Sequence, residues 1–307
     1  MATTYGVIIP AITVFGDDGE IDFTATLDHL DWVIEGGVHA VLISGTCGEF
    51  GTLDSQERRM LIQRSVEHVA GRIPTFVGVM HTSTQEACEL ARHAEAVGAS
   101  AVLSVPPYYS GPPLREIKTY FRDIAESVDI PFIVYNNPGA AGIGVDVPDL
   151  AELAREGTAA MIKESHGDPA RLHDLRMLCP EETSLFYGED YGSFEAMLVG
   201  ADGWFAGIGN IIPRHSVKLW ELCQAGDLPA ARELWYRLLP LVDMTSIKPM
   251  FGRPDERPDF TQIFKAGLEL LGRRAGQCRK PLLPLTDDDM TYLETLINEL
   301  EITDATA

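Results

Sequence analysis

Residues 130–168, IPFIVYNNPGAAGIGVDVPDLAELAREGTAAMIKESHGD, contain two short apolar runs separated by an amphipathic segment. The runs Ile130–Tyr135 and Ala160–Lys163 are almost continuously apolar, which is typical of strands covered on both faces. Pro148–Arg155 between them has helical spacing and predicts a crossover helix. The stretch therefore predicts two parallel strands joined through a helix, with a lysine at the end of the second strand.

The same alternation of strand and helix continues on both sides of this unit. The other predicted strands are Val7–Ala11, Ala40–Ser44, Thr75–Val79, Ala101–Val105, Leu185–Tyr187 and Trp204–Ala206. The other predicted helices are Asp22–Glu35, Ser55–Val69, Thr84–Val97, Arg115–Val128 and Pro169–Cys179. Eight strand and helix units predict a (β/α)8 TIM barrel. A doubly wound parallel sheet is the alternative that the pattern leaves open.

Helical periods alone follow the eighth strand, at Ser216–Ala225, Pro229–Thr245, Phe260–Leu271 and Asp287–Leu300. We assign the first to the barrel and the others to a C-terminal three-helix extension. This divides the chain into a catalytic barrel, residues 1–225, and a helical extension, residues 226–307. The segment Lys248–Phe260 is predicted to be a long loop, and Ile302–Ala307 a frayed end.

The composition of the chain excludes some classes of binding partner. The net charge of −22 disfavours binding to nucleic acid and to anionic membranes, because both are negatively charged. Five cysteines without CxxC spacing argue against a disulfide framework or zinc site, so no metal is expected. The N-terminus lacks signal-peptide features, and no apolar run reaches the roughly 18 residues of a membrane span. We therefore expect a cytoplasmic protein.

Polar residues at the strand ends are the candidates for chemistry, because barrel enzymes place their sites at this rim. An amine with apolar neighbours loses solvation of its charged form and can attack a ketone, which makes Lys163 a candidate Schiff-base lysine. The alternative is a structural lysine paired with Glu164 or another carboxylate. Tyr135, at the end of the neighbouring strand, could move protons beside Lys163 or could simply pack. The turn SGTCGE after the second strand offers backbone N–H groups to a small anion.

The motifs GTCGE, PPYYSGPP, VYNNPGAAG and MIKESHGD resemble, in order and spacing, those of the dihydrodipicolinate synthase and N-acetylneuraminate lyase family of class I aldolases. The resemblance covers essentially the whole chain and implies a (β/α)8 barrel with a C-terminal helical extension. It also implies a lyase that uses a lysine Schiff base and needs no cofactor, acting on pyruvate or another 2-oxo acid.

The resemblance further implies roles for individual residues. Lys163 would form the Schiff base and Tyr135 would donate and accept protons. Thr46 would link Tyr135 to Tyr109, which would reach in from a neighbouring subunit of a homo-oligomer, a dimer or a dimer of dimers. Backbone N–H groups of Thr46 and Cys47 would hold the 2-oxo acid carboxylate, and the carbonyl of Phe205 would line the same pocket.

Two departures from the family pattern bear on the substrate. Cys47 replaces a common threonine, and Ala140 stands where dihydrodipicolinate synthases carry an arginine for the carboxylate of aspartate semialdehyde. Glu189 and Asp190 match a segment that faces substrate hydroxyls in the sugar-acid lyases, although both could be solvated rim residues. His166 and His81 are further pocket candidates, each with a structural role as the alternative.

We therefore expect cleavage or formation of a 2-keto-3-deoxy or 4-hydroxy-2-oxo acid. Three alternatives stay open from the sequence: 4-hydroxy-tetrahydrodipicolinate synthase, which Ala140 disfavours, a Schiff-base dehydratase or deaminase, and a non-catalytic 2-oxo acid sensor. A sensor would be expected to lack one or more of Lys163, Tyr135, Thr46 and Tyr109, and all four are present.

Overall fold

Eight parallel strands close into a barrel in the computed structural model, which describes residues 6–246 and 258–303. Each strand pairs with the next along the chain, and β1 pairs with β8. The strands are β1 Val7–Pro10, β2 Ala40–Ile43, β3 Thr75–Gly78, β4 Ala101–Ser104, β5 Phe132–Asn136, β6 Met161–Glu164, β7 Ser184–Tyr187 and β8 Gly203–Phe205. The predicted TIM barrel is confirmed, and the doubly wound sheet is wrong.

Helices cover the outside of the barrel and continue beyond it. Those between the strands are α1 Phe23–Glu35, α2 Ser55–Val69, α3 Thr84–Ala96, α4 Leu114–Glu126, α5 Pro138–Ala141, α6 Val147–Arg155, α7 Arg171–Leu178 and α8 Ser193–Leu198. Those after β8 are α9 Pro213–Gln224, α10 Leu228–Thr245, α11 Phe260–Leu270 and α12 Asp287–Glu299. Short 3₁₀ turns lie at Phe50–Thr52 and Ile208–Asn210. None of these helices is long and apolar enough to cross a membrane.

The sequence pattern predicts these elements to within a few residues, and it misses two short helices. Helix α8 has six residues and follows Gly192, which has no side chain to cap it, so the helix lacks the usual start signal. Helix α5 has only four residues. Strand β5 begins two residues later than predicted because Pro131 has no N–H to donate. Most of the predicted loop Lys248–Phe260 and most of the predicted frayed end lie outside the described residues.

Both faces of the strands are apolar because one face packs into the barrel interior and the other packs against the surrounding helices. Ile8, Leu42, Leu103 and Ile133 point into the barrel and form its inner core. Their neighbours along the strands belong to the clusters between barrel and helices. Successive strand residues point to opposite faces, so a strand between two apolar layers is apolar throughout.

The extension shares a core with the barrel. Trp235 of α10, Phe264 of α11 and Leu296 of α12 belong to the same buried cluster as Val7 and Ile9 of β1. The boundary expected at residue 225 falls in the turn between α9 and α10.

Asn210 ties the end of β8 to the end of β1. Its side-chain amide donates to the carbonyls of Pro10 at 3.0 Å and Gly207 at 2.9 Å. Its oxygen accepts from the N–H of Ile12 at 3.2 Å and from Nε2 of His29 at 2.9 Å. Burial lowers the pKa of His29 to about 4, so the ring is neutral at pH 7 and donates through Nε2. All four hydrogen-bonding positions of the amide are used.

We predict that Asn210→Ala lowers the free energy of unfolding by about 2–4 kcal/mol, because it leaves buried donors and acceptors unpaired. Chemical denaturation followed by circular dichroism measures the change. Asn298→Ala on the exposed side of α12 is the control, and we expect a change within about 0.5 kcal/mol. Equal effects of the two substitutions would contradict this role for Asn210.

Candidate active site

Lys163 lies on β6 with its amine inside the barrel. In the strand register it pairs with Tyr135 of β5 on one side and Phe186 of β7 on the other. Its Nζ is 3.7 Å from the centre of the Tyr135 ring and 4.6 Å from that of Phe205. The residue is 4% exposed. Neighbouring strands thus hold the amine against two aromatic faces at the C-terminal end of the barrel.

Glu164 does not pair with Lys163, because adjacent strand residues face opposite sides. It is fully buried on the outer face of β6, where its carboxylate accepts from Nε of Arg171 at 3.1 Å. Nδ2 of Asn136 donates to the same carboxylate. The pairing of Lys163 with Glu164 considered above is therefore wrong. No carboxylate within 6–246 and 258–303 forms an ion pair with Lys163.

The hydroxyl of Tyr135 is oriented by Asn137, which directly follows β5. Nδ2 of Asn137 donates to the Tyr135 oxygen at 2.7 Å, and Oδ1 of the same amide accepts from the N–H of Ala140 at 3.0 Å. The second bond fixes which end of the amide faces the tyrosine. Because Tyr135 accepts this bond, its own proton is available to another partner.

A small cavity of about 60 Å³ lies beside Lys163. Thr46, Cys47 and Phe205 line it together with Tyr135 and Asn137. Burial raises the pKa of the Cys47 thiol, which is therefore protonated at neutral pH. The cavity has room for a few water molecules or a comparably small acid.

Gly188, after β7, makes room for the lysine chain. A Cβ at this position would lie 2.5 Å from Cε of Lys163 and 2.0 Å from Oγ of Ser165. No other amino acid fits without displacing one of them. Glycine is required here because β6 and the residue after β7 lie close together, and the sequence alone does not indicate this contact.

Asp190 lines the same cavity from the loop after β7. One carboxylate oxygen, Oδ2, accepts from the N–H of Ile208 at 2.8 Å. The other oxygen, Oδ1, is buried. Burial raises the pKa of this carboxyl from 3.8 to about 7, so a large fraction of it is neutral at physiological pH.

Two larger cavities, of about 480 and 460 Å³, adjoin the small one and share Asn137 and Ser246 with it. Ser165, His166, Glu189 and Tyr191 line the first. Exposed Ala140 lines the second. Apart from Lys163, no lysine or arginine of the described ranges lines any of the three cavities.

Tyr109 and His81 lie apart from these cavities in the single chain. Tyr109 follows β4 and is 90% exposed. Nδ1 of His81 accepts from the N–H of Ser83 at 2.9 Å. Seven of the predicted site residues thus line the small cavity: Lys163, Tyr135, Thr46, Cys47, Phe205, Glu189 and Asp190. Ala140 lines the 460 Å³ cavity, and Tyr109 lies at the surface.

The model of the dihydrodipicolinate synthetase family matches residues 3–300. The chain belongs to this family. It is accordingly a lyase of the class I aldolase type, as the resemblance implied.

Relatives match this family member along almost its full length. The 4-hydroxy-tetrahydrodipicolinate synthase of Desulfotalea psychrophila is 33% identical over 303 residues, 98% of each chain. That of Methanopyrus kandleri is 34% identical over 297 residues, 96% of each chain.

Solved structures share the fold equally closely. The crystal structure of a putative dihydrodipicolinate synthetase from Pseudomonas aeruginosa has a TM-score of 0.90 at 34% identity, covering 96% of this chain and 99% of the other. A prophage protein of the family from E. coli K12, solved in complex with pyruvate, has a TM-score of 0.89 at 28% identity, covering 97% and 98%.

Asn137 and Gly188 shape the candidate site of this family member, but the sequence analysis assigns neither of them a role. The position of Asn137, directly after a strand that ends in a candidate tyrosine, is the sequence feature that could have indicated it. The pairing of Glu164 with Arg171, seven residues later, had no comparable signal, because it crosses from the strand to α7.

We predict that Asp190→Asn becomes more stable relative to the unsubstituted chain as the pH rises. Between pH 4 and 7 the folded Asp190 keeps a proton that the unfolded chain releases, so the free energy of unfolding falls with pH. Asparagine does not titrate, and the difference should shift by about 1–3 kcal/mol between pH 5 and pH 8. Urea denaturation at both pH values measures it. The same difference at both would contradict a raised pKa.

Proposed function

We propose that this class I aldolase forms a Schiff base between Lys163 and pyruvate or another 2-oxo acid, and that it acts on 2-keto-3-deoxy or 4-hydroxy-2-oxo acids. The observation that carries the proposal is the Lys163 amine, held against the rings of Tyr135 and Phe205 in a small cavity beside an oriented tyrosine hydroxyl. An amine placed in this way is a nucleophile for a ketone.

In the first step the Lys163 nitrogen attacks C2 of the 2-oxo acid and a C–N bond forms. The former carbonyl oxygen takes one proton from the attacking nitrogen and one from Tyr135 and leaves as water, and a protonated iminium remains. Asn137 holds the tyrosine oxygen within the cavity during this transfer. Proton transfer by a positioned hydroxyl requires such fixed geometry.

The iminium then accepts the electrons of the bond that breaks. A base removes the proton of the C4 hydroxyl, the C3–C4 bond breaks, and its electron pair forms an enamine with the iminium nitrogen. The aldehyde leaves, C3 takes a proton, and water releases pyruvate from Lys163. Tyr135 is the group placed to return and receive these protons.

The turn after β2 supplies the carboxylate end of the site in this proposal. Within the described residues, neither the Thr46 N–H nor the Cys47 N–H donates to a backbone carbonyl. Both residues line the cavity that holds Lys163, and Phe205 lines its wall. Backbone N–H groups left in this way suit a small carboxylate.

The lining of the 480 Å³ cavity favours a substrate whose second part is neutral and hydroxylated. Glu189, Ser165 and His166 line it, and these groups can bond to hydroxyls. The small cavity is about an eighth of its volume and suits a three-carbon acid.

The second candidate function is that of 4-hydroxy-tetrahydrodipicolinate synthase, which the names of the relatives favour. This reaction requires an anionic aldehyde. Ala140 offers no charge to it, and an absent charged partner costs about 2–4 kcal/mol of binding. For this reason we place it second.

We predict that sodium borohydride with pyruvate adds a stable mass to the peptide that contains Lys163, because reduction fixes the iminium as an amine. Mass spectrometry of the digested protein measures it. Lys163→Ala should give no adduct. Tyr135→Phe, which keeps the ring beside the amine, should still form the adduct but lower kcat by about 10²–10⁴-fold. An unmodified Lys163 peptide would exclude the Schiff-base mechanism.

A substrate panel distinguishes the reactions that follow the same iminium. Release of pyruvate from 2-keto-3-deoxy sugar acids or 4-hydroxy-2-oxo acids supports aldol cleavage. A product that keeps the carbon skeleton indicates dehydration or deamination instead. Consumption of aspartate semialdehyde with pyruvate indicates the second candidate, and binding without turnover indicates a sensor.

Tyr109 completes the site from a partner subunit in this proposal, since its side chain is exposed in the single chain. We predict that co-expression of Tyr109→Phe and Lys163→Ala chains recovers about a quarter of the activity of the unsubstituted protein. Half of the dimers are mixed, and one of the two sites in each mixed dimer has both Lys163 and the partner's tyrosine. Pyruvate release compared with that of each variant alone measures it. No recovery would place Tyr109 in its own chain's site or outside catalysis.

A further inference from the structure

Glu49 ends the turn SGTCGE, and its carboxylate is buried although it follows the substrate-facing residues by only two or three positions. The side chain is 4% exposed, and the backbone has a φ of 54°, in the left-handed region. A glutamate with this backbone is uncommon and requires support from its surroundings.

That support comes from the C-terminal extension. Nζ of Lys265, on α11, is 2.6 Å from Oε1 of Glu49, and the lysine side chain is only 2% exposed. The backbone N–H of Arg279 donates to Oε2 at 2.8 Å. Both oxygens of a buried carboxylate in the barrel are thus held by residues more than 200 positions later in the chain.

The two cationic residues are themselves fixed. Lys265 also donates to the carbonyl of Gln277 at 3.2 Å. The Arg279 guanidinium donates to both oxygens of Glu57, at 2.8 and 2.5 Å, and to the carbonyl of Gly19. Both side chains lie over the ring of Phe15, 4.3 and 4.4 Å from its centre. The anchor of Glu49 is therefore rigid.

The turn transmits this position to the residues that line the cavity. The N–H of Glu49 donates to the carbonyl of Thr46 at 3.0 Å. Thr13 donates through Oγ1 to the carbonyl of Gly48 at 2.8 Å. A shift of Glu49 would move the Thr46 carbonyl, and with it the peptide group that carries the Cys47 N–H.

We propose that Glu49 is a positioning residue for the substrate carboxylate: the ion pair with Lys265 and the bond from Arg279 hold the Gly45–Glu49 turn so that its N–H groups meet the carboxylate. The extension is then part of the 2-oxo acid site without contacting the substrate. The inference rests on the proposed function, because it takes the carboxylate to bind at this turn.

Glutamine at position 49 would keep the size of the side chain but could not serve both donors. One of its ends is an NH₂ group, which would face either the Lys265 ammonium or the Arg279 N–H. The variant Glu49→Gln therefore weakens the anchor with little change in volume. The double variant Glu49→Gln with Lys265→Met also removes the buried unpaired charge, and it serves if the single variant does not fold.

The test compares a ketone that has a carboxylate with one that lacks it. The measured quantity is the concentration of pyruvate or of acetone at which borohydride trapping on Lys163 reaches half of its maximum. In Glu49→Gln and in the double variant we expect this concentration to rise for pyruvate about tenfold relative to that for acetone. General damage to the site would raise the half-saturation concentrations of both ketones together. The ratio of pyruvate to acetone therefore distinguishes a lost position of the turn from a loss of stability.

Asp22→Asn is the matched control, because it breaks the ion pair with Arg274 across the same junction of extension and barrel and touches neither Glu49 nor its two partners. Its side-chain oxygen can still accept from the N–H of Ala25, so we expect the ratio to stay unchanged. An unchanged ratio in both Glu49 variants, or an equal change in Asp22→Asn, would overturn the inference. A chain that traps neither ketone on unsubstituted Lys163 would overturn the proposed function instead.

Discussion

The mechanism proposed for Lys163 requires an amine that no carboxylate holds in an ion pair. Strand geometry removes the carboxylate next to it in sequence, because Glu164 is turned to the outer face of β6 and bound there by Arg171. The inner face offers the amine two aromatic rings. The roles of Tyr135, Asn137 and Gly188 all depend on the amine being at this point, since each touches it or orients a group beside it.

The barrel could be predicted because every strand carries the same signal, a short run that is apolar on both faces. The site could be predicted only where a polar residue stands at the end of such a run, as Lys163, Tyr135 and Thr46 do. Contacts between distant segments left no local trace. Neither the amide of Asn210, which joins two strand ends, nor the ion pair of Glu49 with Lys265 has a spacing that marks it. Helix α8 was missed because it is short and uncapped.

The small cavity and the larger cavities of the candidate site differ in how far family membership describes them. Five residues that line the small cavity, Thr46, Cys47, Tyr135, Asn137 and Lys163, lie in the motifs on which the family resemblance rests. The two larger cavities contain Glu189, His166 and Ala140, and no lysine or arginine among residues 6–246 and 258–303 lines them. In the proposed function this lining decides the second substrate more than the name of relatives at 33 or 34% identity does, because an anionic aldehyde would find no charged partner there.

The shared core of barrel and extension has a consequence for how the chain unfolds. Phe264 and Leu296 pack in the same cluster as Val7 of the first strand, so the last helices cannot detach without exposing the wall of the barrel to water. Barrel and extension should then melt in one cooperative transition. A chain cut after α9 would lose these contacts, and part of the outer face of its barrel would be exposed to water.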